Sequence, residues 1–202
     1  MKKYCFTAIF IFALIFQAYA QTRPFIGYDQ VAFGASVDVV RNAYNLGDDI
    51  ALQVDSDDPN IATLTQRNVS ESIRARTFYF NRWRTGNYQL YRVAVWFEDN
   101  SDNNLRNITG VFENRYGRAT DFNNNYQEYF TDRTTIYGRF APDIEVQLLH
   151  RKQNDNAVYS NILVLPLALA LMGMEVSDLN FIRVLYTWKG FRDEYQASRL
   201  GL

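Results

Sequence analysis

The chain is expected to fold as α+β, an antiparallel sheet packed by short amphipathic helices. Three observations lead there. The segment Leu90 to Phe97 alternates Tyr91, Val93, Val95 and Phe97 with Arg92, Ala94, Trp96 and Glu98, the period-two pattern of a strand with unlike faces. Further on, Ile108, Val111, Phe112 and Tyr116 return at helical spacing. A content of 48% apolar residues with 14 Tyr and 15 Phe is too hydrophobic for a disordered chain.

The first stretch is an export signal. Met1-Lys2-Lys3 precedes an apolar run from Phe6 to Phe16, and Ala18-Tyr19-Ala20 supplies the small residues of a cleavage site. The run is shorter than the roughly 20 residues that span a bilayer as a helix. Residues 1–20 therefore read as a signal peptide and 21–202 as one exported domain, periplasmic or extracellular, with no transmembrane helix after cleavage. Cys5, the only cysteine, lies inside the leader, so no lipid-attachment cysteine follows it and the mature part has no thiol for a disulfide or a metal. Loss of Lys2 and Lys3 takes the net charge from −1 to −3, which disfavours generic nucleic-acid binding.

Taking the mature chain in order, Arg23 to Gly34 is extended and broken by Pro24, Gly27 and Gly34, as an edge strand would be. Ser36 can cap a helix over Val37 to Tyr44, Asp38 suits its first turn, and Asn45 to Gly47 ends it. Ile50 to Val54 reads as a short strand, and the acidic Asp55 to Asp58 as a turn. Strands Ile73 to Asn81 and Tyr88 to Phe97 flank Arg84-Thr85-Gly86-Asn87, so they form a hairpin. Tyr91, Val93 and Val95 are expected to face the helices. The central helix follows the polar run Asp99 to Asn104, with Asn107 placed to cap it and Gly117 to stop it. Asp121 to Asp132 is asparagine-rich and reads as a loop with Tyr126, Tyr129 and Phe130 folded back. Thr135 to Phe140 and Ile144 to His150 make a further strand pair, and Lys152 to Asn156 a loop. Ile162 to Met174 suggests a short buried helix between Pro166 and Gly173. Phe181 to Trp188 alternates as a strand, and the polar tail from Arg192 ends at the surface.

The segment Val39 to Asn45 can be laid on Val111 to Gly117 without a gap, matching Val39 with Val111, Asn42 with Asn114 and Tyr44 with Tyr116. Arg92-Val93 corresponds likewise to Arg183-Val184. Two related units, 21–104 and 105–202, with 161–179 inserted in the second, account for these matches; so does chance likeness between short amphipathic pieces.

Phe33-Gly34-Ala35-Ser36, followed by Val39-Val40 and Tyr44, resembles the helix opening in small outer-membrane-assembly lipoproteins and in β-lactamase-inhibitor proteins. The likeness covers about 15 residues, and two features depart from it: the missing lipid-attachment cysteine and the absence of a proline after Gly47. The resemblance implies a non-catalytic envelope protein that works by contacting other proteins, on a fold of helices backed by antiparallel strands.

Chemistry-bearing motifs are few. There is no nucleophile elbow, phosphate loop or dinucleotide glycine pattern. His150 is the only histidine, placed by parity with Ile144, Val146 and Leu148 at a strand end, so neither a conventional zinc site nor a cofactor is expected. The acidic runs Asp55 to Asp58 and Glu98 to Asp102 do not fit a calcium loop. One stretch stands out for binding. From Arg67 to Arg92 there are six arginines against the single acid Glu71, interleaved with aromatic rings. Guanidinium groups beside aromatics suit carboxylate or phosphate partners, although arginine stems also cover aromatic sheets with no partner at all. The candidate surface is Arg82, Trp83, Arg84, Tyr88, Arg92 and Trp96, directed at an envelope protein with an acidic surface. A receptor for an envelope glycan, lipid or small ligand is the alternative, and a deep pocket rimmed by Trp83, Trp96 or Trp188 would favour it.

Overall fold

The hairpin at residues 73–97 sits near the middle of the sheet. Strands β5 (Ile73–Asn81) and β6 (Gln89–Phe97) pair antiparallel across a turn in which Gly86 takes φ 75°, a left-handed value that glycine reaches without a Cβ clash. The computed structural model describes residues 27–127, 130–138, 143–154 and 180–201. The expected leader at 1–20 and the expected insertion at 161–179, with its short buried helix, lie outside them.

In chain order, β1 (Gly27–Tyr28) and β2 (Val31–Ala32) form a small hairpin, followed by α1 (Val37–Tyr44), β3 (Gln53–Val54) and β4 (Ile61–Arg67) before β5 and β6. Then come α2 (Asp102–Tyr116), β7 (Asp121–Tyr126), β8 (Phe130–Tyr137), β9 (Ile144–Gln153), β10 (Phe181–Trp188) and α3 (Lys189–Leu200). The main sheet has eight strands in the order β3-β4-β5-β6-β10-β9-β8-β7, every neighbouring pair antiparallel. The fold is α+β. Each half of the order runs inward from an edge: α1 leads into β3 to β6, α2 leads into β7 to β10, and β6 meets β10 in the middle.

Both of these helices feed one core. Val40 of α1 and Ile108, Phe112 and Tyr116 of α2 cluster with Leu64, Phe78, Val93, Val146 and Val184 from one face of the sheet. The aligned helix positions share environments. Val39 and Val111 are exposed, Val40 and Phe112 are buried, and Asn45 and Gly117 cap the two C-termini with positive φ. Ser36 Oγ accepts from Val39 N, as its sequence position suggests.

Several expectations need correction. Helix α2 opens at Asp102 because Ser101 Oγ accepts from Asn104 N at 3.2 Å and Asp102 complements the dipole. Asn107 is therefore inside the helix, and a division at 104/105 would cut its first turn. Val111 is 60% exposed rather than buried. Residues 121–132 are not one loop: β7 and the start of β8 lie within them, and Tyr126 is exposed. A terminal edge strand has water along one side, so its polar run forms a ladder without an apolar pattern. Strand β9 continues through Lys152 to Gln153, beyond the expected turn. The tail is helix α3, held by buried Phe191 and Tyr195 one turn apart. Strand β4, unmarked in the sequence reading, inserts Ala62 and Leu64 into the core. Between residues 50 and 54, only Gln53–Val54 pairs as a strand.

The most consequential correction is Tyr91. Tyr79 pairs with Arg92 but Phe80 pairs with Leu90, so Tyr91 is the extra residue of a β-bulge. Its ring leaves the helix side and packs instead with Phe191 and Tyr195 of α3, on the opposite face.

Candidate functional site: an arginine and aromatic sheet face

The six candidate residues fall into two groups. Arg82, Trp83, Arg84 and Tyr88 gather at the β5–β6 turn. There Trp83 packs against Tyr195 and Phe191 at ring separations of 5.6 and 6.3 Å, and Arg84 Nη1 lies 3.1 Å from Glu194 of the same helix. The Arg82 guanidinium rests 5.3 Å from the Tyr88 ring, whose hydroxyl donates to the Pro59 carbonyl. These contacts serve the docking of α3 and the closing of the turn. Of the six arginines read from the sequence, they engage Arg82 and Arg84.

Arg92 and Trp96 lie elsewhere, on the sheet face opposite α1 and α2. The alternation that sends Val93 and Val95 inward turns Arg92, Ala94 and Trp96 outward. Antiparallel pairing with β10 then sets Arg183 across from Trp96 and Thr187 across from Arg92, with Ala94 opposite Leu185 midway between. The next strands add Arg151, opposite Phe181, and Asp132, opposite Arg151. The sequence reading missed Arg183, Phe181, Arg151 and Phe130 as members of this surface. Its one available signal was the match of Arg92-Val93 with Arg183-Val184, which marks the two central strands.

Guanidinium groups and rings alternate across this face. Arg151 lies 3.8 Å from the Phe130 ring and 5.0 Å from Phe181, and Arg183 lies 5.8 Å from both Phe181 and Trp96. Arg92 lies 5.4 Å from Tyr91 and 6.0 Å from Tyr79. Such contacts hold each planar cation in place.

Their electrostatic partners differ. Arg151 forms a fork with Asp132 at 2.7 and 2.8 Å, and Arg192 of α3 pairs with Glu145 and Asp193. Among the described residues, Arg92 Nε donates to Thr187 Oγ1, at 3.2 Å. Arg183 has a buried Nε with no hydrogen bond among the described residues, and burial pulls its guanidinium below the ordinary arginine value. Among the described residues, Arg92 and Arg183 have no carboxylate within ion-pair distance. Four residues separate their register positions, about 13 Å along the strands. The floor between them is closed, since Ala94, Thr77 and Thr187 are buried. Two oriented cations on a half-buried floor are suited to donating charge-assisted hydrogen bonds to an incoming carboxylate or phosphate.

The acidic runs have local duties. Asp55 Oδ1 accepts from the backbone N–H groups of Asp57 and Asp58. Asp58, buried rather than solvated, accepts from the Tyr195 hydroxyl and, at 3.2 Å, from Arg199 Nη1. In the second run, Asp99 accepts from Ser101 N, and Asp102 pairs with Lys152 at 3.5 Å. No group of three or more His, Cys, Asp or Glu suited to a metal occurs among the described residues. No helix there is long and apolar enough to cross a membrane. His150 is buried on the helix side of β9, its imidazole pushed below its ordinary value by that burial. No family model, curated protein or solved structure matches this chain.

Proposed function

We propose that this chain is an exported, non-enzymatic cell-envelope protein that binds an acidic surface of another envelope protein. The contact surface is the face of β6, β10 and β9 away from α1 and α2, beside α3. The observation that carries this reading is the difference between arginines on one face. Arg151 and Arg192 have carboxylates, whereas Arg92 and Arg183 are held by rings and have none among the described residues. A guanidinium that only covers apolar surface keeps its head in water; Arg183 instead keeps a buried, unsatisfied Nε–H. The leader-like first 20 residues support export. The two cavities beside α2 have no tryptophan in their walls, whereas the alternative of a ligand cleft between the halves calls for Trp83, Trp96 or Trp188 at its rim.

Crosslinking in the native envelope, followed by identification of the partner, tests the proposal. Purified partner binding should then weaken by roughly tenfold or more when Arg92→Glu and Arg183→Met are combined, the loss of about one charge-assisted hydrogen bond. The effect should shrink as salt rises. Arg82→Glu with Arg84→Glu should matter less, because Glu194 already occupies Arg84. Undiminished binding by a folded Arg92/Arg183 variant would reject the proposal.

A further inference from the structure

On the other side of the sheet, a trough runs between α2 and the outer strands β7, β8 and β9. Its wall is a second stripe of α2, Asp102, Leu105, Thr109 and Glu113, spaced three or four apart with Arg106 beside Leu105, and distinct from the Ile108, Phe112 and Tyr116 stripe that enters the core. Two adjoining hollows make up the trough. One, of about 350 Å³, is lined by Asp102, Leu105, Arg106, Thr131, Arg133, His150 and Lys152. The other, of about 200 Å³, shares Leu105, Arg133 and His150 and continues over Phe122, Tyr137 and Leu148, with the exposed Glu113 on its helix wall. The larger is within the range that holds small molecules.

The two hollows differ in chemistry. Three fixed cations, Arg106, Arg133 and Lys152, stand at the first against one acid, Asp102, which is already paired with Lys152. Arg106 and Arg133 form no ion pair among the described residues. His150 is 7% exposed and belongs to both hollows, and its ring has no hydrogen-bond partner among the described residues. At the other end Phe122 is 53% exposed. A cationic end joined to an apolar end calls for a ligand with both properties.

We infer that this trough binds a single-chain anionic amphiphile. Its carboxylate or phosphate head sits among Arg106, Arg133 and His150, and its alkyl tail lies along Leu105, Phe122, Tyr137 and Leu148. The site and the arginine face occupy opposite sides of the sheet, so either assignment can fail alone.

Calorimetric titration of the purified protein tests it, with dodecanoate and dodecyl phosphate below their micelle concentrations, and with inorganic phosphate and neutral dodecyl maltoside as comparators. Saturable binding of at least one anionic amphiphile, roughly tenfold or more tighter than either comparator, is expected. A preference between the two anions would name the head group within the assignment. Arg106→Gln with Arg133→Gln should weaken the anion by roughly tenfold or more while leaving the thermal melt in place, since both side chains are on the surface. Equal affinity for dodecyl maltoside would overturn the head-group assignment, and equal affinity for phosphate the tail. Absence of saturable binding, or an unchanged constant in the double variant, would overturn the whole site.

Discussion

Phe112 and Val111 are neighbours in α2 with opposite environments, and replacing each by alanine separates them. Phe112 is 6% exposed and meets Tyr116, Tyr137 and Tyr186 edge-on at 5.7, 5.7 and 6.3 Å. Tyr137 and Tyr186 come from β8 and β10, within the main sheet, and cannot follow a shrinking side chain. The Phe112→Ala cavity should stay largely open and cost about 3–5 kcal/mol. Val111→Ala removes an exposed side chain and gains helix propensity, so its effect should lie within about 0.5 kcal/mol. For a domain of this size 1 kcal/mol shifts the melting temperature by about 2–4 °C. Phe112→Ala should therefore melt roughly 6–20 °C below the parent and Val111→Ala within about 2 °C of it, as followed by far-UV circular dichroism. Coincident melting of the two variants would show that α2 does not present this stripe to the sheet.

Two further perturbations probe the ends of the chain's architecture. Tyr195→Phe removes the hydroxyl donated to buried Asp58 while keeping the ring against Trp83, and should lower stability by about 1–3 kcal/mol in urea at pH 7. That hydrogen bond is the leading cause holding the Asp58 carboxyl below its ordinary 3.8. Its contribution is complete above that value and disappears as pH falls through the depressed native one, so parent and variant should converge in strong acid; a constant gap would refute the link. His150, the lone histidine, gives an unambiguous NMR titration. Burial lowers its pKa from 6.5, with Asp102 opposing and Arg133 and Lys152 reinforcing. The native chain releases this proton more readily than the unfolded one. Stability from the neutral ring is therefore full above 6.5 and declines as pH falls through the lower native value. A resonance titrating at 6.5 or higher would contradict the packing of β9.

What could be read in advance depended on how strongly each segment's pattern reflects its surroundings. The hairpin, α1 with its Ser36 cap, β9 and β10 all carry two-sided patterns because one side meets the core and the other does not. Strand β7 has no such contrast: Asn123, Asn124 and Asn125 follow one another with no apolar residue between them, and pairing with β8 alone defines the strand. Helix α3 is held by only two rings in a polar segment, and without it the roles of Trp83, Arg84 and Asp58 could not be foreseen. The bulge at Tyr91 adds one residue to a strand of perfect alternation, so the period predicted the wrong face for that ring. For the candidate surface, Arg92 and Trp96 were legible from β6 alone. Their companions on β10 arrive only through a pairing of strands about 90 residues apart, and the matched Arg-Val pairs were its single trace.

Aromatic packing around an arginine does not by itself mark a binding residue, and Arg76 makes the distinction. It too has rings about it, with Tyr44 at 4.6 Å, Tyr28 at 5.4 Å and Phe78 at 5.9 Å, and a buried Nε without a hydrogen bond. Yet Arg76 is on the core side beneath α1 and is 9% exposed. Its charge is an internal expense of packing, sealed from any partner. Arg92 and Arg183 share the ring contacts but remain half-exposed on the face away from α1 and α2. Arg151, on that same face, shows what a satisfied guanidinium looks like there: a two-pronged carboxylate contact layered over Phe130 and Phe181. Substituting an external carboxylate for Asp132 in that arrangement reproduces the contact proposed for Arg183. Accessibility of a guanidinium that has no carboxylate among the described residues, rather than arginine content, is therefore what separates the binding candidates from the packing ones.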